Sequence, residues 1–390
     1  MRIAALALAL VACSGSPPPV KKPKPPPEVK NDSKALVSEA RELAKSGDID
    51  AADKSYADAY AATKDVAVLE ERVAFLLKNG RAQAAQDAAK AYYDANVSDP
   101  HGYQLYGSAL LAGGRGAEAL EVADTLIQLK TDDPIGHSQK GEALILLDRA
   151  DEGLDELRKA KDLDPKNPNL HIALGKALDN GKKVDEAALE FQAAARFSPD
   201  NAEVYVLLGR ARREQGEYGD AKTYLDKALD LDHNSGRAYF ELGLLYDKQN
   251  KESEAEVALA QAVQKSPSES MFWYAYGEIF RGQDRMDEAL KAYKTAVGLE
   301  NPFPKAIQKY VGILIEKKQF DEAEDLLTKA IRKDGRNAQN YLYAGQLYAA
   351  KKKWKPAVEN YQKFLELAPK GDPERNKVKE LVNELKRRGG

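Results

Sequence analysis

One alanine recurs at a constant step along most of this chain. Ala187, Ala221, Ala255, Ala289, Ala323 and Ala357 keep that step without a slip. Gly153, Ala119 and Ala85 extend it backwards, and Ala52 follows one position short of the full step. A second series of small residues runs twelve positions upstream: Gly107, Gly141, Gly175, Gly209, Gly243, Gly277 and Gly345, with Val73 and Val311 filling two slots. A unit of this length is one supersecondary element and cannot bury its own apolar face. Its copies must therefore stack.

Inside the period the spacing is helical. In "GEYGDAKTYLDKALDLDHN" (216–234), Leu225, Ala228 and Leu231 lie three apart on one stripe. A small residue on each of two successive helices lets their backbones approach closely. Gly47, Gly80, Gly114, Gly181, Gly216 and Asn250 stand near the middle of their units and are expected to end the first helix in a left-handed turn. Pro165, Pro199, Pro267 and Pro369 are expected to close the second. Gly153, standing where other units carry alanine, is expected to loosen its repeat. The segment from Asp372 to the end reads as a capping helix (372–390), with Val378, Leu381, Val382 and Leu385 on one face.

These features resemble the tetratricopeptide repeat (TPR) family. The family's aromatic at repeat position 4 has counterparts in Tyr103, Tyr205, Tyr239, Trp273 and Tyr341. The resemblance implies an all-α superhelical solenoid of about ten helix–turn–helix repeats over residues 33–371, the first two departing most from the pattern. It also implies binding of proteins or extended peptides along a concave face lined by positions 2, 5, 9 and 12 of the first helices. In repeats 6 to 8 those positions supply Arg210, Arg213, Arg237, Phe240, Met271, Tyr274, Glu278 and Arg281. Arginines interleaved with aromatics suit a partly acidic segment, because a guanidinium pairs carboxylates and stacks on rings. Earlier repeats give a blander lining, including Gln104, Ser108, Ser138, Ile145, Ile172 and Lys176. The family's Lys and Asn clamp for a C-terminal carboxylate has no counterpart at positions 5 and 9.

The front of the chain is different. Arg2 precedes an unbroken apolar run, Ile3 to Ala12, too short to span a bilayer but suited to the apolar core of a signal peptide. The run ends in Leu10-Val11-Ala12-Cys13, which resembles the lipobox of bacterial lipoproteins. That resemblance implies a signal peptide at 1–12, cleavage after Ala12 and lipid attachment at Cys13. Ser14, in place of the aspartate that retains lipoproteins at the inner membrane, points to the outer membrane. Residues 13–32 are then lipidated cysteine and linker. The Pro/Lys-rich stretch from 14 to 31 favours polyproline II and reaches about 50 Å at about 3.1 Å per residue.

Little in the chain points to chemistry. One cysteine excludes an intrachain disulfide, and four histidines limit metal sites. His137 and His171 stand one full repeat apart, both at repeat position 4, so they read as packing residues too far apart to share a metal. His101 and His233 lie at repeat boundaries. The stretch "GKALDNGKK" (175–183) lacks the spacing and hydroxyl of a phosphate loop. Asp-Glu pairs at 185–186, 287–288 and 321–322 recur at the start of second helices, where they favour the dipole. A net charge of −3 points to no nucleic acid partner. The expectation is a non-enzyme with no cofactor, no metal and no small-molecule substrate. It is expected to be a periplasmic TPR scaffold anchored in the outer membrane, binding proteins in assembly of an envelope complex of the pilus/secretin, β-barrel or polysaccharide-export kind. The alternative is a lipoprotein activator of a peptidoglycan-synthesising enzyme.

Overall fold

The computed structural model describes residues 30–389, with side chains from residue 35 to residue 388. Cys13, the signal segment and the linker up to residue 29 lie outside the described residues. The described chain is all α-helical and divides into two compact units at Leu129 and Lys130.

The first unit holds α1 (Lys30–Ser46), α2 (Ile49–Thr63), α3 (Val66–Lys78), α4 (Ala82–Ala95), α5 (Pro100–Ala112) and α6 (Gly116–Leu129). Helix α1 begins ahead of Ser33, the expected start of the array. The second unit begins with α7 (Pro134–Leu146), α8 (Ala150–Leu163), α9 (Pro168–Asn180), α10 (Val184–Phe197) and α11 (Ala202–Glu214). It continues with α12 (Tyr218–Leu231), α13 (Gly236–Lys248), α14 (Glu252–Lys265), α15 (Ser270–Gly282) and α16 (Met286–Gly298). It ends with α17 (Pro304–Glu316), α18 (Phe320–Lys333), α19 (Ala338–Ala350), α20 (Trp354–Leu367) and α21 (Glu374–Gly389). Odd- and even-numbered helices pair as helices A and B of one repeat, ten pairs followed by α21.

Packing explains the two small-residue series. Ala52, Ala85, Ala119, Ala187, Ala221, Ala255, Ala289, Ala323 and Ala357 have no exposed surface. The glycine of helix A faces the side chain one turn beyond the alanine of helix B. A Cβ at Gly209 would stand 2.5 Å from Leu225, one at Gly243 2.5 Å from Leu259, and one at Gly277 2.7 Å from Tyr293. Only hydrogen fits there. Repeat 4 is not loosened by Gly153. Added Cβ atoms at Gly141 and Gly153 would each meet the other's carbonyl oxygen, at 2.7 and 2.6 Å, so two bare backbones touch.

Helix ends follow a third series with the same period, one that the sequence reading missed. Asp65, Asp99, Asp133, Asn167, Asn201, Ser235 and Asn337 cap the A helices with side-chain oxygens that accept backbone N–H bonds. Pro100, Pro134, Pro168 and Pro304 occupy the first helical turn, where a missing N–H costs nothing. The series breaks at Glu269 and Phe303, which give no side-chain cap to α15 and α17. The left-handed turn after helix A is glycine in four repeats, at Gly47, Gly80, Gly114 and Gly216, and Asn250 in a fifth. Gly181 does not take it: its φ is −77°, and Lys182 adopts +63° instead. Glycine there is favoured, not required.

The array ends in α21. Asp372 accepts the Glu374 N–H at 2.8 Å, and Val378, Val382 and Leu385 are buried against α19 and α20, with Leu381 partly so. Among the described residues no helix is long and apolar enough to cross a membrane.

Candidate binding face

In the second unit most A helices also touch the A helix of the next repeat, as α7 does α9, α11 does α13 and α13 does α15. Residues on that side of the A helices face the inner surface of the stack. The groove residues expected from repeats 6 to 8 all lie on these helices, but the fold divides them into two groups.

The first group surrounds a cleft of about 250 Å³ lined by Arg210, Arg237, Phe240, Glu241, Ser266, Glu269, Met271 and Phe272. Its arginines are already partnered. Arg210 reaches the buried Asp179 carboxylate of the preceding repeat at 3.0 Å, and Arg237 reaches Glu203 at 2.8 Å. Glu203 also lies 3.7 Å from Lys176, so one carboxylate spans three successive A helices. Arg213 is not a lining residue. Its side chain is 8% exposed and pairs at 2.9 Å with Glu241, itself 5% exposed. Burial pushes the Glu241 carboxyl up, against the pull of Arg213, Arg210 and Arg237. These charges are struts between helices as much as a lure for a ligand. The acidic partners Asp179, Glu203 and Glu241 escaped the sequence reading. A base and an acid one repeat apart in the sequence, give or take a helical turn or two, are the signal that would have found them.

Phe240 is also corrected. It is 4% exposed and stacks on Phe272 at 4.5 Å and 18°, inside the core of repeats 7 and 8. It borders the cleft with little of its surface. Met271 is the accessible apolar contact, at 40% exposure.

The second group lies further along. Tyr274 is half-buried between Phe303, at 5.1 Å, and Tyr293, at 6.0 Å. Glu278 collects the buried Tyr293 hydroxyl, Arg281 at 3.2 Å and Lys309 at 3.6 Å. Burial opposes charge on Glu278, yet the Tyr293 and Arg281 hydrogen bonds hold its carboxyl below the usual range. Phe303, one of the two residues that break the cap series, packs here instead. The nearby Ser270 hydroxyl donates to the Ala296 carbonyl at 2.9 Å and accepts the Phe303 N–H at 2.7 Å. That bridge anchors the junction of repeats 8 and 9.

The histidines at repeat position 4 act as fasteners. His137 and His171 place Nε2 at 3.1 and 3.0 Å from a carbonyl oxygen in the turn just upstream, at Thr131 and Pro165. Their Nδ1 atoms lie 2.6 Å from Glu156 and Glu190. Tyr103, Trp273 and Tyr341 make the same bond to the carbonyls of Val97, Pro267 and Gly335. In these five repeats the bond is made by a flat ring with a polar hydrogen at its tip, which His, Tyr and Trp all supply. Leu69 and Ile307 hold the position in repeats 2 and 9 without it. The Asp-Glu pairs lie in the first turns of α10, α16 and α18, and residues 175–183 run from α9 into its terminal turn.

Helix pairs stacked on one constant period, with a lined inner face and paired charges, define a protein-binding repeat scaffold. Residues 75–134, 139–202 and 206–269 match the tetratricopeptide repeat family, and residues 247–375 match the TPR domain of cytochrome c-type biogenesis protein H. The chain belongs to the tetratricopeptide repeat proteins, whose repeats bind proteins or peptides and whose scaffold families are generally non-catalytic. No curated protein matches the sequence. Among solved structures the chain is similar to yeast Tom70, with 16% identity, a TM-score of 0.56, and coverage of 93% of this chain and 97% of that one. It is also similar to the Cut9–Hcn1 hetero-tetramer of the APC/C (12%, 0.51, 92% and 76%). A third similar structure is the human IFIT1 dimer with m7Gppp-AAAA (17%, 0.50, 85% and 89%). At these identities the likeness concerns the fold alone.

Proposed function

We propose that this chain is an envelope scaffold, held at the outer membrane through a lipid on Cys13 and presenting its repeats to the periplasm. Its task is to hold a protein partner during assembly of an envelope complex. The observation that carries the reading is the match of residues 247–375 to the cytochrome c-type biogenesis protein H TPR domain, which favours assembly of c-type cytochromes over the other envelope machines. The lipobox-like Leu10-Val11-Ala12-Cys13 supports the membrane address.

The partner lies along the A helices of repeats 6 to 8. Arg210 and Arg237 exchange some of their bonds to Asp179 and Glu203 for bonds to the incoming chain, and Met271 gives an apolar contact. Swapping one ion pair for another yields selectivity more than affinity.

Two measurements test it. Labelled palmitate should enter the wild-type chain and not Cys13→Ala; equal labelling would remove the anchor. Crosslinking in the periplasm followed by identification of the captured protein should return a cytochrome c or a factor of its assembly, and deletion of the gene should lower haem-stained c-type cytochromes. Unchanged cytochromes, with capture of another machine, would overturn the cytochrome reading and leave the scaffold.

A further inference from the structure

Two basic runs, well separated in sequence, meet in space at the end of the second unit. The first is Lys351-Lys352-Lys353-Trp354-Lys355 at the start of α20, and the second is Lys386-Arg387-Arg388 at the end of α21. They converge on Trp354. The Arg388 guanidinium lies 5.9 Å from its ring, and a cleft of about 410 Å³ is bounded by Trp354, Lys355, Val358, Glu359, Gln362, Leu385 and Lys386. Acids neutralise part of this charge: Glu324 engages Lys351 at 2.5 Å, and Glu384 engages Arg388 at 2.5 Å. Lys352, Lys355, Lys386 and Arg387 are exposed and, among the described residues, make no hydrogen bond or ion pair with another side chain. Glu359 is the one acid in the cleft lining, so cations remain in excess there. A capping helix needs a polar outer face, but it does not need an excess of cations gathered around an indole.

We propose that this end of the array docks on an anionic phospholipid surface, with Trp354 at the headgroup level and the free cations on the phosphates. Clustered lysine and arginine is drawn to an anionic leaflet, and tryptophan, with an apolar body and a polar N–H, favours the interface. An acidic protein is the less suitable occupant. Its carboxylates call for oriented guanidinium forks, and the guanidinium nearest Trp354, that of Arg388, already gives one N–H to Glu384. The free charges are mostly lysines on flexible stems, suited to a diffuse plane of phosphate. This docking is independent of Cys13 and of the partner face.

The test uses the full chain carrying Cys13→Ala, so that no acyl chain contributes. Trp273→Tyr is added, leaving Trp354 the sole tryptophan of the two in the chain and keeping a donor for the Pro267 carbonyl. Vesicles of neutral phosphatidylcholine are compared with vesicles containing about one-third phosphatidylglycerol. The anionic vesicles should blue-shift Trp354 emission, and brominated lipid should quench it. Lys352→Gln, Lys355→Gln, Lys386→Gln and Arg387→Gln together should lower partition more than tenfold, as should half-molar salt. Helical circular dichroism confirms that the variant is folded. No emission change on anionic vesicles, or equal partition by the quadruple variant, overturns the proposal. So does a shift evoked by soluble poly-glutamate and not by vesicles, which would mark an acidic protein as the occupant.

Discussion

Gly141 and Gly153 press backbone on backbone, so that a methyl group on either would lie within 2.7 Å of the other's carbonyl oxygen. Neither oxygen has a flexible side chain to yield. Gly141→Ala and Gly153→Ala should each separate α7 from α8 and cost about 1–3 kcal/mol. Gly312→Ala is the control: it lies inside α17 with nothing within 4 Å, and should stabilise by about 0.5–1 kcal/mol. Urea midpoints of the three variants decide it, and equal signs for all three would contradict the packing described.

Arg213 and Glu241 should behave as a buried pair. Glu241→Ala leaves the Arg213 charge buried beside the more exposed Glu214, at 3.2 Å, and should cost about 3 kcal/mol. Replacing both, Arg213→Met with Glu241→Leu, should recover most of that loss. A double-mutant cycle measures the coupling, and additive losses would show that the pair does not act as a unit.

Phe240 and Met271 should separate stability from binding. Phe240→Ala opens a cavity against Phe272 and should cost about 3–5 kcal/mol in unfolding. Met271→Ala, at an exposed position, should change stability by less than about 0.5 kcal/mol and still weaken partner capture. Retained capture by a folded Met271→Ala chain would move the contact away from this cleft.

Acid and alkali should act on different residues. The folded Glu278 carboxyl is held below its unfolded value, so its contribution is present above that value, near pH 4.5, and fades as pH falls through the lowered one. Burial pushes the Tyr343 and Tyr361 phenols up to about 12, so their contribution is full below their unfolded value, near pH 10, and fades between about 10 and 12. Urea midpoints across pH should fall at both ends. Glu278→Gln should make the acid limb shallower, and Tyr361→Phe should make the alkaline limb shallower while leaving the acid limb unchanged.

His171→Ala should cost about 1–3 kcal/mol, because the Pro165 carbonyl and Glu190 both lose a partner. A chelator should leave the melting temperature of the wild type unchanged. A fall would give the histidines a metal that their carbonyl and carboxylate bonds leave no room for.

Much of the fold was legible because it rests on local sterics. A glycine or alanine recurring once per repeat marks where two backbones touch, and apolar residues three and four apart mark the buried stripe, so helix pairs, repeat number and capping helix follow. The site was less legible. The TPR pattern placed Arg210, Arg213, Arg237 and Phe240 on A helices, where the structure has them, yet position in a repeat does not say how deep a side chain sits. Arg213 and Phe240 are inside, and the acids that meet the arginines come from neighbouring repeats.

The sequence by itself determined the period, the helix boundaries set by glycine, proline and Asx caps, and the face of each helix that is buried. Those depend on residues within a few turns of one another. Tertiary structure decided which charges pair from one repeat to the next, why His, Tyr and Trp are interchangeable at position 4, and that Lys351–Lys355 and Lys386–Arg388 share one tryptophan. These depend on the offset between neighbouring helices, which is set by how closely small residues let two backbones approach.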